Sequence, residues 1–315
     1  MRRRNAGPGK HDRGTALIMA MIVVMLATSA AVAMASRQQL ELRRLGNTEL
    51  YDEALLQVGG VELWGSGVVG ALGGQNGIVT TGMIDRQAFK AMLDDGEVSA
   101  RLIDLSGRFN LNDLIQDGKV STLDLRRFER LLAVLGIDPG VVAAILDWED
   151  PDVSARPGGA EDDYYSRLDP PYRAANQAFA DVQELRRVKG ITDDIYRRLA
   201  AVVTALPGYT DINVNTAPAP VIESLADKLD PGLADAIAQR QAGEGFQTMQ
   251  AFLAMFPKNG AGIASGGLSL RGSYYGVHGR IDVGRVRMSV DSVIAATSGK
   301  GTRLVRRRLS EPTDG

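Results

Sequence analysis

Residues 15–36 read TALIMAMIVVMLATSAAVAMAS, and none of these 22 residues carries a charge. A helix of that length rises about 33 Å, enough to cross the roughly 30 Å hydrocarbon core of a bilayer. Residues 1–14, just before it, hold five basic side chains and one acidic side chain. Because positive charge stays on the cytoplasmic side, the sequence predicts a transmembrane helix with a cytoplasmic N-terminus. The rest of the chain then lies across the membrane.

The helical pattern does not end with the apolar run. Residues 37–72 read RQQLELRRLGNTELYDEALLQVGGVELWGSGVVGAL, with leucine and valine at helical spacings. The sequence therefore predicts a helical stem that continues the membrane segment. A cleaved signal peptide ending at Ala33-Met34-Ala35 and a plain signal anchor are the other interpretations. The apolar region of a signal peptide is usually only about 7–15 residues, so the longer run and its continuation favour an anchor.

Composition excludes several kinds of site. The 315 residues include no cysteine and two histidines, His11 and His278, which lie far apart in sequence. A disulfide scaffold, a thiolate zinc site and a cysteine nucleophile are excluded, and a histidine cluster is disfavoured. The sequence has neither a GxSxG nor an HExxH motif, so a signal-anchored periplasmic enzyme lacks an evident catalytic constellation. We therefore predict a protein that is not an enzyme.

Beyond the stem, the pattern predicts an α+β fold. Residues 98–105 alternate like a strand, whereas residues 123–135, 141–148, 180–206 and 218–256 have helical patterns. From Gly267 the sequence alternates again and predicts three antiparallel strands. We thus predict a head formed by residues 73–108 and 266–300, a helical domain inserted at residues 109–265, and a flexible tail at residues 301–315.

An acidic loop follows the helix predicted at residues 141–148. Counted from Asp150, the residues Asp152, Ser154 and Glu161 fall at the third, fifth and twelfth positions, a calcium-loop spacing of oxygen ligands. Ala155 replaces the glycine usual at the sixth position. The alternative is a solvated loop whose charges pair with nearby arginines. Two further candidate calcium ligands are Asp147 and Asp162.

Two helical segments resemble helix-hairpin-helix units, which elsewhere bind DNA phosphates. After residue 14 the chain has 31 basic and 37 acidic residues, and a DNA surface needs a basic field. We therefore favour a packing unit and expect no nucleic-acid partner. The asparagines of FNLND and NVNTAP are predicted to be structural, with Asn112 and Thr216 as helix caps. The cations that would serve a DNA site are Arg186, Arg187, Lys189, Arg197 and Arg198.

Several long motifs carry a family resemblance. The basic leader ends at Gly14, and the uncharged helix begins at the next residue, Thr15, which resembles a prepilin leader. The body is similar to the K-type minor pseudopilins of the type II secretion system. The motifs are GRFNLNDL at 107–114, ILDWEDPD at 145–152, RPGGAEDDYY at 156–165, PPYRAANQAFADVQELRRVKGIT at 170–192 and INVNTAPAPVI at 212–222.

The resemblance implies a pilin-like head with an inserted helical domain, and association of the head with calcium. It implies cleavage between Gly14 and Thr15 by a prepilin peptidase, with methylation of the new N-terminus. The implied partners are other minor pseudopilins, the major pseudopilin and the inner-membrane secretion platform. The implied location is the inner membrane, with a periplasmic head. A membrane-anchored DNA-uptake protein remains the alternative.

One position sets this chain apart from most pilin-like subunits. They carry glutamate at the fifth mature position, where it pairs with the N-terminal amine of the subunit above, whereas this chain has Met19. A carboxylate in hydrocarbon is costly unless paired, and methionine cannot make that pair. Together with the bulky insert, this predicts a subunit at the tip of the pseudopilus, with nothing stacked above it.

Overall fold

The computed structural model describes residues 10–73, 77–227, 229, 231–256, 263–297 and 301–311. Its first element is α1 (Lys10–Gly73), a helix of 64 residues. The helix begins before Thr15, the predicted first helical residue, so Gly14 lies inside it in the uncleaved chain. One glycine costs a helix only about 1 kcal/mol relative to alanine, and the strong helix formers after it maintain the helix.

Within the described residues, the head and the insert contain eleven shorter helical elements (α-helices and 3-10 turns) and eleven strands. The helices are α2 (Thr81–Ile84), α3 (Thr122–Val134), α4 (Val141–Glu149), α5 (Asp162–Tyr165), α6 (Asp193–Ala200), α7 (Ala219–Ser224), α8 (Pro231–Ala242) and α9 (Met249–Leu253). The 3-10 turns are Leu105–Gly107, Leu111–Asp113 and Val182–Arg187. The strands are β1 (Ala88–Leu93), β2 (Gly96–Asp104), β3 (Phe109–Asn110), β4 (Ile115–Gln116), β5 (Lys119–Val120), β6 (Val203–Thr204), β7 (Ile212–Asn213), β8 (Leu268–Ser269), β9 (Tyr274–Val283), β10 (Val286–Ala296) and β11 (Thr302–Ser310).

The head is an antiparallel sheet with the strand order β1-β2-β9-β10-β11, and the second half of α1 packs on β9 and β10. Two glycines allow the close approach. A Cβ on Gly65 would collide with the Val277 side chain, and one on Gly279 would lie 2.9 Å from Val61. The predicted α+β class is confirmed, and the sheet joins strands from both ends of the head across the insert.

The last strand differs from the sequence prediction. Residues 301–315 are predicted to be a flexible tail, but Thr302–Ser310 forms β11 and pairs with β10. The basic run hides the strand pattern, because three of its arginines, Arg306, Arg307 and Arg308, pair with buried or half-buried acids. Arg307 contacts Glu62, and Arg308 contacts Asp291 at 2.9 Å. Residues 312–315 lie outside the described residues.

The insert has its own apolar core, and its elements are shorter than the patterns predict. The predicted helices near 123–135 and 141–148 are confirmed as α3 and α4. The region predicted to be helical at 180–206 instead contains the turn Val182–Arg187, α6 and β6. Gly190 adopts a φ of +83°, which interrupts a helix, and Val203 pairs in parallel with Phe109. Tertiary pairing therefore overrides local helical propensity here.

The asparagine motifs hold separate segments together. Asn112 donates to Phe179 O at 3.0 Å and Leu206 O at 2.9 Å, so it is not a helix cap; Asn110 caps the 3-10 turn. Thr216 also differs from its predicted capping role, because its hydroxyl donates to Asp104 at 2.8 Å. These hydrogen bonds are internal, as expected for structural residues, and the contact with Asp104 joins the insert to the head.

Candidate functional site

The first half of α1 presents apolar side chains that no other part of the chain covers. Among the described residues, one helix is long and apolar enough to cross a membrane; its most apolar 18-residue window has a mean hydropathy of 2.5 and is 0% buried. Gly14, Thr15 and Met19 all lie on this exposed half, and Met19 is 68% exposed. A soluble helix with such a surface would aggregate, so this half is suited to lipid.

The second half of α1 is fixed to the sheet by a charged contact. Glu62 accepts hydrogen bonds from Arg307 Nε at 2.8 Å and from the Ser292 hydroxyl at 2.5 Å. Arg307 lowers the pKa of Glu62 from its ordinary value, against the opposing effect of burial. Since Arg307 belongs to β11, this pair connects the stem to the last strand of the head.

Three carboxylates converge in the acidic loop of the insert. Asp150 follows the last residue of α4, Glu161 precedes the first residue of α5, and Asp152 lies on the turn between them. One oxygen from each comes within 4.8 Å of the others. Asp150 and Glu161 are buried and Asp152 is exposed, so the cluster (Asp150, Asp152 and Glu161) opens to solvent on one side.

Asp147 holds the loop in shape and does not join the cluster. It is fully buried, and its oxygens accept hydrogen bonds from Ala160 N at 2.8 Å, Arg156 N at 3.1 Å and Arg156 Nη1 at 2.7 Å. A Cβ on Gly159 would collide with this carboxylate, so the loop needs glycine there. Asp162 is also outside the cluster; it accepts from Ala174 N at 2.9 Å. Of the five predicted ligands, the structure therefore brings three together.

The cluster contains carboxylate oxygens without hydrogen-bond partners. They are Asp150 Oδ1 and both side-chain oxygens of Glu161, all buried. Burial raises the pKa of Glu161 to about 7, and the charges of Asp147 and Asp150 add to the effect. Unpartnered buried carboxylate oxygens fit a hard cation such as Ca²⁺, which takes oxygen ligands from several carboxylates. The residues present therefore suit the predicted metal.

Two further buried acids interact electrostatically, Glu149 with Asp150 of the cluster and Asp113 with Glu149, and the sequence pattern predicts neither as a ligand. Burial raises the pKa of Glu149 to about 8, with repulsion from Asp113 and Asp150 as the next cause. Burial likewise raises the pKa of Asp113 to about 8. Glu149 ends α4, and the mostly apolar sequence VVAAILDW before it was the available signal that this helix is buried. Asp113 gives no such signal, because only the fold places it near α4.

Four of the five cations that would serve a DNA site contact acceptors of this chain: Arg186, Lys189, Arg197 and Arg198. Arg186 pairs with Asp193 and stacks over the Tyr196 ring at 3.9 Å. Lys189 donates to Gly159 O at 2.9 Å, and Arg198 donates to Leu135 O at 2.9 Å. These side chains are thus used for packing inside the insert, which agrees with the interpretation of the hairpins as structural units.

Known proteins with similar sequences share both halves of the insert. Residues 107–208 and 212–271 match two domain models described as "Type II secretion system (T2SS), protein K". Type II secretion system protein K of Pseudomonas aeruginosa is 33% identical over 95% of this chain and 93% of its own length. The corresponding protein of Aeromonas hydrophila is 31% identical over 96% of this chain and 98% of its own length.

A solved structure shows the same fold. The GspK-GspI-GspJ complex of enterotoxigenic Escherichia coli contains a chain that superimposes with a TM-score of 0.75 at 22% identity. The match covers 85% of this chain and 100% of that chain. The fold thus recurs over most of this chain in a solved structure. The chain belongs to the type II secretion system protein K family of minor pseudopilins.

Proposed function

We propose that this minor pseudopilin is the non-enzymatic tip subunit of the pseudopilus, which it begins and caps together with other minor pseudopilins. The observation that carries this proposal is Met19 on the exposed apolar half of α1. After cleavage at Gly14-Thr15, the new N-terminal amine of Thr15 would pair with the glutamate of the subunit below. Met19 offers no carboxylate to a subunit above. This asymmetry suits the end of a fibre that exports folded proteins.

The solved complex supports the choice of partners, since it is a complex of GspK with GspI and GspJ. The major pseudopilin, the prepilin peptidase and the inner-membrane platform complete the proposed set. The basic leader supports a cytoplasmic N-terminus, with the head in the periplasm. Mass spectrometry of the processed protein tests the orientation and the cleavage. We expect an N-methylated Thr15 as first residue; a start after Ala35 or an intact Met1 would contradict the proposal.

Met19→Glu tests the tip position. In cells that contain the complete secretion system, we expect the variant to enter the fibre below the tip and to reduce secretion severalfold, because its new carboxylate can pair with an amine above. Met21→Glu is the control: it places the same charge on the exposed helix two residues away, where no amine is offered. If Met19→Glu leaves both the position in the fibre and secretion unchanged, the tip proposal fails.

We further propose that the acidic cluster binds calcium. The support is the unpartnered oxygens of Asp150 and Glu161 together with the nearby carboxylate of Asp152. These residues would hold the ion, which would neutralise their charges and tie the end of α4 to the start of α5. The proposed role is structural, because a stable loop keeps the surface of the insert in one shape for its partners.

Calorimetric titration of the metal-stripped chain with CaCl₂ tests this proposal. We expect one bound ion in the wild type and at least a tenfold loss of affinity in Glu161→Gln, which removes the ligand charge. Asp163→Asn is the matched control, since Asp163 is an exposed acid in the first turn of α5 and lies outside the cluster. Absence of binding to the wild type, or equal losses in both variants, would refute the assignment.

A further inference from the structure

A cavity of about 200 Å³ opens where the insert meets the head sheet. The sheet contributes residues of β9, β10 and β11, and the insert contributes the turn Val182–Arg187, α6 and β6. None of the functional assignments above uses this cavity. Six ionisable side chains line it: Arg108, Asp181, His278, Asp291, Arg306 and Arg308.

The charges in the cavity do not balance. Asp181 contacts both Arg306 and Arg308, at 3.5 and 3.3 Å. Asp291 contacts Arg308 at 2.9 Å and His278 at 2.6 Å. Three arginines therefore face two aspartates, which leaves one positive charge in excess even when His278 is counted as neutral.

The excess charge lies on Arg108. Within the part of the chain that the structure describes, no carboxylate is close enough to pair with this guanidinium; it donates to Ala200 O at 3.3 Å. Burial, and then repulsion by Arg101, lowers the pKa of Arg108 from its ordinary value. A half-buried guanidinium with free donors is a strong binding group for a carboxylate, because the pair can form two charge-assisted hydrogen bonds.

A second hollow of about 300 Å³ shares Val293 and Arg306 with the first. Its lining is mostly apolar, with contributions from Phe179, Pro207 and Val305. A small free carboxylate would fill the charged cavity alone. An acidic residue within a peptide segment could occupy both, with its carboxylate at Arg108 and a neighbouring apolar side chain in the second hollow.

We propose that these two hollows, which together we call the seam, bind an aspartate or glutamate side chain of another protein together with an adjacent apolar residue. The seam is a feature of the folded head and insert, so the proposal stands independently of the tip position. It gives the junction of the two domains a role in selecting a partner segment, in addition to holding the domains together.

Peptide titration of the full chain in detergent micelles tests the seam. The probe is a heptapeptide of alanine and valine with a central glutamate, and its twin has glutamine at that place. We expect the glutamate peptide to bind about tenfold more tightly, as a charge-assisted hydrogen bond predicts. Arg108→Gln should remove this preference. The control is Arg101→Gln, which removes a neighbouring exposed arginine that does not line the cavity and should leave the preference intact.

Each other outcome overturns the proposal. Equal affinities of the two peptides in the wild type exclude carboxylate recognition, and equal losses in both variants reduce it to a general charge effect. If sodium acetate binds as tightly as the glutamate peptide, the site takes a small anion and not a protein segment. If Arg108→Gln does not fold, Arg108→Lys is tested in its place. It should weaken the preference severalfold, because lysine lacks the planar fork of arginine, and an unchanged preference would exclude Arg108.

Discussion

Glu62 in the stem and Glu161 in the acidic loop are both buried, yet their surroundings have opposite effects. Glu62 is paired with Arg307 and Ser292, and its pKa is lowered. Glu161 has no hydrogen-bond partner for either oxygen, and its pKa is raised to about 7. The head therefore supplies a counter-charge for Glu62, whereas the loop supplies none for Glu161, because its Arg156 contacts Asp147 and Asp150. A buried acid is evidence for a ligand only when its partners are missing.

Asp147 and Glu161 show the same difference, although both lie in the acidic loop. It is as deeply buried as Glu161, but Arg156 and two backbone N–H groups satisfy it. Sequence spacing treats the two acids alike as candidate ligands. The structure shows that Asp147 stabilises the loop, whereas the oxygens of Glu161 have no partner within the loop.

The largest expected effect comes from replacing Asp147, the acid of the loop whose oxygens already have hydrogen-bond partners. Asp147→Asn removes the charge opposite Arg156 and aims an amide N–H at existing donors. We expect a loss of about 3 kcal/mol in the free energy of unfolding, because an amide cannot replace a fully buried carboxylate that accepts from Arg156 and from two backbone N–H groups. Urea unfolding followed by Trp148 fluorescence in a Trp64→Phe background measures it. Asp163→Asn should change it by less than about 0.5 kcal/mol; a similar loss there would contradict the assigned role of Asp147.

An intermediate effect is expected from pH in calcium-free buffer. Glu161 and Glu149 have ordinary pKa values of 4.5 that the fold raises to about 7 and about 8. Between pH 4.5 and pH 8 the folded chain keeps protons that the unfolded chain has released. The free energy of unfolding therefore falls as the pH rises through this range. We expect a fall of at least about 1.4 kcal/mol, the value of a single pKa unit, and Asp113, whose pKa is also raised to about 8, adds to it.

Urea unfolding at several pH values measures this fall. Saturating calcium should flatten the profile, and Glu161→Gln should remove the part due to Glu161. A profile that rises over the same range would show that these acids are not destabilised by ionisation. The ion pair of Glu62 and Arg307 has the opposite pH dependence. Its contribution to the free energy of unfolding is present above pH 4.5 and is lost as the pH falls through the lowered pKa of Glu62.

The smallest effect is expected from Glu62→Gln. It removes the charge that pairs with Arg307 but keeps an acceptor for Ser292. We expect a loss of about 1–2 kcal/mol, because the arginine is partly exposed and water screens the pair. Trp64 fluorescence in a Trp148→Phe background reports on the head. Arg303→Gln, at an exposed position of the same strand, is the control, and an equal loss there would reduce the pair to a surface effect.

The sequence predicted the acidic loop but only part of its chemistry. The spacing of Asp150, Asp152 and Glu161 identified the three residues that converge. Spacing could not show that Asp147 is satisfied by Arg156, because that depends on the path of the loop around Gly159. Nor could it bring Asp113, which lies 36 residues earlier along the chain, close to Glu149.

The sequence by itself determined the membrane helix, the α+β class and the family, because these depend on apolar periodicity and on motifs that are local in the chain. It also predicted the strands of β9 and β10 from alternation. Only the tertiary structure decided that the basic C-terminal run is a strand. Arg307 and Arg308 of this strand lie beside Glu62 and Asp291. In the sequence their charges look like those of a solvated tail, but in the fold they form ion pairs that hold the strand in place.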